Sequence, residues 1–189
     1  MIPNWYLDRV WLGPISVNVW GAFVALGFVV AIWLTVRRAS RVGIDPKHVI
    51  DFGTWAILAS IIGARLLFVL EHVSEFAGRP WWTVFAIWEG GSSSYGGFFG
   101  AIIVAVWFLR KRRLAFRAFA DLVAVHLPLG WFIGRLGCYS IHDHAGIPCI
   151  GALCVPFPDG TRRLDMGLLD GLGTLAVYPV LLWLARKPR

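Results

Sequence analysis

The chain has 189 residues, 58% of them hydrophobic and 15% charged, with a mean hydropathy of +0.67. A soluble domain is nearer half apolar and a quarter charged, so this balance excludes one and points to an integral membrane protein. The net charge of +7 fits basic loops facing anionic lipid, and with no nucleic-acid motif beside it no nucleic-acid partner is expected.

From the N-terminus, the first fourteen residues carry Asp8, lack a basic start and show no small-residue cleavage site, so no cleavable signal peptide is expected. Apolar runs near the length a bilayer demands then cover residues 15–36, 49–70, 95–109, 119–138 and 168–185. The third run is short and opens on glycines, which predicts an irregular outer end, tolerated only where protein or a cavity shields the backbone. Residues 76–88 hold three Trp and read as an interfacial segment.

Charge orients the spans. Arg37, Arg38, Arg41 and Lys47 crowd one connection, Arg110, Lys111, Arg112, Arg113 and Arg117 another, and Arg186, Lys187 and Arg189 the tail. The remaining connections carry acids: Asp8; Glu71, Glu75 and Glu89; Asp143, Asp159 and Asp165. The positive-inside rule puts the N-terminus outside and the C-terminus inside. The expected fold is all-α, one integral membrane domain over residues 1–189, a polytopic bundle of about five transmembrane helices.

Polar groups gather toward the outer face of this scheme. Arg135 stands in Gly134-Arg135-Leu136-Gly137-Cys138, seven residues before His142-Asp143-His144, with Gly146 close behind. Ionisable groups at such a place are costly unless they meet a ligand or one another; the bland alternative for Arg135 is snorkelling to the headgroups. Arg65 lies little more than a turn before Glu71, and its alternatives are an ion pair with Glu71 or Glu89 and a role toward ligand. Tyr95-Gly96-Gly97 opens the third span, where glycines admit either a neighbouring helix or a lipid to the backbone. Thr161-Arg162-Arg163-Leu164-Asp165 precedes the last span. A guanidinium is a planar fork suited to phosphate esters, so arginines at one depth suggest an anionic lipid headgroup. A histidine beside a carboxylate can move a proton there.

The other candidates are weaker. His142, Asp143 and His144 offer ligands of the zinc type, but with no distant third His or Cys no metal or cofactor is expected. His126, beside Pro128, reads as a packed histidine, and His48 and His72 as flanking residues. Cys149 and Cys154 are candidates for a disulfide on the oxidising side of a membrane. Cys138 reads as a buried thiol, with nucleophilic use the alternative.

Taken together, these pieces resemble the bacterial prolipoprotein diacylglyceryl transferase family. Leu12-Gly13-Pro14-Ile15-Ser16-Val17, Trp20-Gly21 and Arg37-Arg38-Ala39 are similar to its first core span, and Gly63-Ala64-Arg65 to its G-[GA]-R element. Trp88-Glu89-Gly90-Gly91 with Tyr95-Gly96-Gly97 looks like W-[DE]-G-G…[HY]-G-G. Asp121, Pro128 and Gly134-Arg135-Leu136-Gly137 resemble the approach to its signature, G-R-x-G-N-F-x-N-G-E-x-x-G. The likeness runs in order over essentially the whole chain. It departs where Cys138, Ile141, His142 and Asp143 stand for Asn, Asn, Gly and Glu, and where Tyr95 replaces the commoner His. Arg163-Leu164-Asp165-Met166-Gly167-Leu168-Leu169-Asp170 answers R-H-P-x-x-L-Y-E, keeping the Arg, one Leu and an acid. Family members continue through further spans, so two readings stand: a member shortened after Arg189, or a subgroup with His-Asp-His for Asn-Gly-Glu.

The resemblance implies a plasma-membrane enzyme whose site faces outward. Its substrates would be phosphatidylglycerol and the lipobox peptide of a preprolipoprotein, and its product a diacylglyceryl thioether. Arg135 and Arg163 are then expected to hold the phosphate, with Arg65 in support. Tyr95, Gly96 and Gly97 would meet the headgroup, and Gly146 closes the signature. His142 or His144, oriented by Asp143, is the candidate base on residue chemistry alone. A non-catalytic lipid-binding or scaffold protein of the same ancestry is the alternative. A small transporter fits less well, because the polar groups cluster at one face.

Overall fold

The computed structural model describes residues 6–87 and 90–186. Trp88, Glu89, Lys187 and Arg189, used in the motif and charge readings, lie outside them. The chain divides into two compact units, Met1–Arg38 with Ala120–Arg189, and Ala39–Phe119.

The first unit opens with an antiparallel hairpin, β1 (Arg9–Leu12) and β2 (Ile15–Asn18), with Arg9 opposite Asn18. Gly13, at φ +65°, supplies the left-handed turn residue between them. The first apolar run was expected to begin its helix at residue 15. Instead Asn18 stops the strand and its side chain accepts from the Gly21 N–H at 2.9 Å, so helix α1 starts at Val19 and runs to Ala39.

Helices α5 (Phe116–Ala124) and α6 (Leu127–Ile141) are bent by 42° at a short break. Pro128 sits in the first turn of α6, where its missing N–H is no loss but where it prevents α5 from running on. His126 precedes that turn, buried, with Nδ1 3.1 Å from the Tyr178 hydroxyl on α7 (Met166–Leu184). Gly27 of α1 faces Gly130 of α6 so closely that a Cβ on Gly27 would collide with the Gly130 carbonyl. At the opposite end, Arg38 donates to the last carbonyls of α7 through Ala185 O at 2.6 Å.

Between α6 and α7 the all-α expectation left a loop. The structure builds a three-stranded antiparallel sheet there in the order β3-β5-β4, from Ala145–Pro148, Arg162–Asp165 and Cys154–Pro156. Strands of three or four residues containing Gly and Pro carry too short an alternation to be read from sequence. A disulfide joins Cys149 to Cys154, and Tyr139, Val155, Phe157 and Leu168 form the apolar core beneath the sheet.

The second unit is built on α2 (Pro46–Glu71) and α4 (Ser94–Arg112), joined through the single turn α3 (Val73–Phe76) and a 3-10 helix at Trp81–Phe85. Asp45 caps α2 by accepting from the Lys47 N–H at 2.9 Å, with Pro46 next in line. The glycines at the start of α4 lie in regular helix, contrary to the irregular end expected. Gly96 meets Gly63, and Gly100 meets the Ala59 carbonyl, at distances that leave no room for a Cβ. Phe52, Phe108 and Phe119 interlock at the other end, with ring centroids 5.2–6.4 Å apart.

Among the described residues, three helices are long and apolar enough to cross a bilayer, Val19–Val42, Pro46–Glu71 and Met166–Leu184, and the bent α5–α6 pair makes a fourth if it is one span. Only 11–17% of their apolar windows is buried. Side chains such as Leu70 and Val29, 69% and 64% exposed, therefore require lipid rather than water. The run at 95–109 is helical as α4, but it falls outside that set because it ends on Arg110, Lys111 and Arg112.

Candidate active site at the C-terminal end of α6

Arg135 lies on the last full turns of α6, where Gly171 of α7 leaves room for its stem. Its Nε donates to Asp170 Oδ2 at 2.5 Å, and Trp131 Nε1 donates to the same oxygen at 2.8 Å. The guanidinium lies 5.1 Å from the Trp131 ring. Nη1 turns toward His144 Nε2 at 3.3 Å and Cys138 Sγ at 3.8 Å. Nη2 makes no protein hydrogen bond among the described residues, and the side chain keeps 23% exposure.

These contacts fix the tautomer of His144. Arginine can only donate, so Nε2 accepts and the ring proton sits on Nδ1, which donates to Asp143 Oδ1. The Asp143–His144 pair is part-exposed, at 35% and 44%. It is an imidazole with one nitrogen anchored by a carboxylate and the other presenting a lone pair next to a guanidinium.

His142 does not join it. Ile141 ends α6, and His142 takes a left-handed conformation at φ +50° that turns its ring inward. There it meets Asp165 Oδ2 at 2.8 Å, with both side chains at most 1% exposed, between Tyr139 and Phe157. Asp165 also caps α7 by accepting from the Leu168 N–H at 2.9 Å. The expected pairing of Asp143 with either histidine is thus realised for His144, while the neighbouring His142 pins the end of α6 to the start of α7.

Arg163 lies on β5 opposite Val155. Its Nε donates to the Thr161 hydroxyl at 2.8 Å and its Nη2 reaches Asp159 at 3.5 Å. Hydrogen bonds from the Thr161 hydroxyl and amide, with the charge of Arg163, hold Asp159 below the usual carboxylate range. Arg163 and Arg135 share no partner among the described residues. Gly146 packs against the Leu164 carbonyl and Met166, leaving no space for a side chain.

In the second unit Arg65 is 6% exposed and donates to four backbone carbonyls. Nε reaches Val84 O at 2.8 Å, Nη1 reaches Gly90 O and Gly91 O at 2.6 and 2.9 Å, and Nη2 reaches Thr83 O at 2.7 Å. The ion pair considered with Glu71 is absent among the described residues; Glu71 accepts from the Ser93 hydroxyl at 3.4 Å, and Glu89 lies outside them. Arg65 therefore clamps the segment that leads into α4. Tyr95 on the first turn of α4 is 73% exposed, whereas Gly96 and Gly97 face α2.

A family model described as prolipoprotein diacylglyceryl transferase matches residues 9–189. The chain belongs to the prolipoprotein diacylglyceryl transferase family. It is 36% identical over 184 residues to the phosphatidylglycerol–prolipoprotein diacylglyceryl transferase of Chromohalobacter salexigens, covering 94% of this chain and 68% of that one. The enzyme of the same name from Oceanobacillus iheyensis is 38% identical over 144 residues, 75% of this chain and 50% of that one. The one from Thermosynechococcus vestitus is 33% identical over 187 residues, with 94% and 69% covered. The chain thus spans about half to two thirds of the length of these curated relatives.

Membership makes the chain a polytopic membrane protein, in keeping with its apolar helices. Among its polar residues, Arg135, Asp143 and His144 come together with Cys138 and Asp170, and His142 and Gly146 are structural neighbours of that group. Asp170 was legible only as the closing acid of the motif begun by Arg163. Its distance of 35 residues from Arg135 gave no signal that the two would pair.

Proposed function

We propose that this chain performs the transfer its relatives are named for, moving the diacylglyceryl group of phosphatidylglycerol to the lipobox cysteine of a prolipoprotein. In this reading it works in the bacterial plasma membrane, with five spans, an outer N-terminus and the site toward the outer face. The observation that carries the reading is Arg135, anchored through Nε by Asp170, with no hydrogen bond from Nη2 among the described residues and a carboxylate-oriented imidazole beside it.

Arg135 takes the phosphate of the lipid, and its charge offsets the negative charge that grows on the leaving oxygen. His144 Nε2 accepts the proton of the acceptor thiol, because the thiolate is the nucleophile. Asp143 stabilises the imidazolium that results. The thiolate attacks the glycerol carbon bearing the phosphate ester. The C–S bond forms, the C–O bond breaks, and glycerol phosphate departs carrying the bonding pair. Arg163 adds a second guanidinium toward the headgroup. Gly96, Gly97 and Gly146 serve by close packing, and Arg65 by ordering the approach to α4.

The test is release of glycerol phosphate from headgroup-labelled phosphatidylglycerol in vesicles holding the full chain. Release is expected with a lipobox peptide and not with its Cys→Ser form. Arginine-dependent lipid binding without release would favour the non-catalytic lipid-binding reading, which the altered signature at Cys138 and His142-Asp143 supports.

A further inference from the structure

Cys138 has no task in the transfer just described, yet its thiol is not isolated. Its Sγ, one carboxylate oxygen of Asp143 and one imidazole nitrogen of His144 all lie within 4.8 Å of one another. Cys138 comes from the buried end of α6, while Asp143 and His144 come from the part-exposed turn after it. Sulfur, imidazole and carboxylate form a donor set suited to a borderline-soft divalent ion.

We propose that Cys138, Asp143 and His144 form a three-ligand site for a zinc-type divalent transition-metal ion, with the fourth position open. The apparent objection is Arg135, whose Nη1 stands against His144 and Cys138. Those contacts are long, 3.3 and 3.8 Å, whereas the anchor of the arginine is Nε to Asp170 at 2.5 Å. Nη1 can therefore yield the space while Arg135 stays in place, and Asp143 exchanges its hydrogen bond to His144 Nδ1 for the ion. Charge balances as well. Binding displaces the thiol proton to solvent, and a divalent cation with one thiolate, one carboxylate and a neutral imidazole sums to zero. Arg135 then faces no net positive charge.

A bound ion would occupy the imidazole and carboxylate that the proposed transfer uses as its base, so the ion-loaded chain should not transfer; binding itself is tested without lipid or peptide. The full chain in detergent micelles is titrated with Co2+, a zinc substitute whose thiolate bond absorbs in the near ultraviolet. One equivalent should give a saturable thiolate-to-cobalt band, and excess Zn2+ should bleach it. The disulfide-bonded Cys149 and Cys154 hold no thiol, so Cys138→Ser must abolish the band. His144→Ala, a change at a part-exposed position, must weaken it while the helical circular dichroism persists. No saturable band in the wild type, or a band that survives Cys138→Ser, overturns the site.

Discussion

At the residue scale, the guanidinium of Arg135 and the ring of His144 carry different burdens and should fail differently. Losing a charge-assisted contact to a developing phosphate costs about 2–4 kcal/mol of transition-state stabilisation. Arg135→Ala should therefore slow transfer roughly 30- to 1000-fold, read as initial rates in vesicles. Arg135→Lys keeps the charge but loses the fork that reaches Asp170 through Nε, so it should recover only part of the rate; full recovery would reduce Arg135 to a snorkelling cation. His142→Ala belongs to another category. It takes one hydrogen-bond partner from the buried Asp165 carboxylate, a loss of about 1–3 kcal/mol of stability, measured by denaturant unfolding. His144→Ala should unfold with the wild-type midpoint and still lose transfer.

The same residues show where sequence reasoning stops. His142-Asp143-His144 reads as one group because its members are adjacent. A single left-handed residue at the end of α6 sends His142 inward and leaves the other two outside. That reversal depends on where the helix ends. Arg65 was legible as a costly buried charge, but its partners are backbone carbonyls, which no residue pattern encodes.

At the element scale, two crossings depend on glycine. The Gly63–Gly96 contact brings α2 and α4 to backbone distance, and the Gly27–Gly130 contact does the same for α1 and α6. A methyl at Gly96 strikes the Gly63 carbonyl, and overpacking of that kind costs roughly 1–3 kcal/mol. Gly96→Ala should lower the thermal midpoint, whereas Gly173→Ala, with open space around its Cβ position, should not. The sheet between α6 and α7 has its own staple: cutting the Cys149–Cys154 bond in a Cys149→Ser/Cys154→Ser double variant should cost about 2 kcal/mol by loop entropy. Hydrogen exchange at β4 and β5 should report that loss locally.

The spans were legible because twenty-residue apolar runs are a strong signal, yet their ends were not. Asn18 moved the start of α1 by capping it, and the basic end of α4 shortened its apolar stretch. The β3-β5-β4 sheet was illegible for another reason: its pairing joins segments up to 20 residues apart, Ala145 to Asp165, and each strand is too short for its alternation to show.

At the scale of the whole molecule, a polytopic chain of the prolipoprotein diacylglyceryl transferase family carries an arginine-centred site at the C-terminal end of α6. Basic residues close α1 and α4, so the proposed orientation, by the positive-inside rule, has those ends in the cytoplasm. A cysteine introduced at Lys111 in a Cys138→Ser background should react with an impermeant maleimide only after the cells are opened, and one at Asp159 in intact spheroplasts; the reverse pattern would invert the site.

The most direct test of the central claim is the thioether itself. The full chain in phosphatidylglycerol vesicles is given a lipobox peptide, and the peptide mass is followed in the wild type, Arg135→Ala and His144→Ala. The account predicts that the wild-type peptide gains one diacylglyceryl group on its cysteine, and that each variant lowers the rate by at least about 30-fold. Product formed equally by either folded variant, or none from the folded wild type, would contradict it.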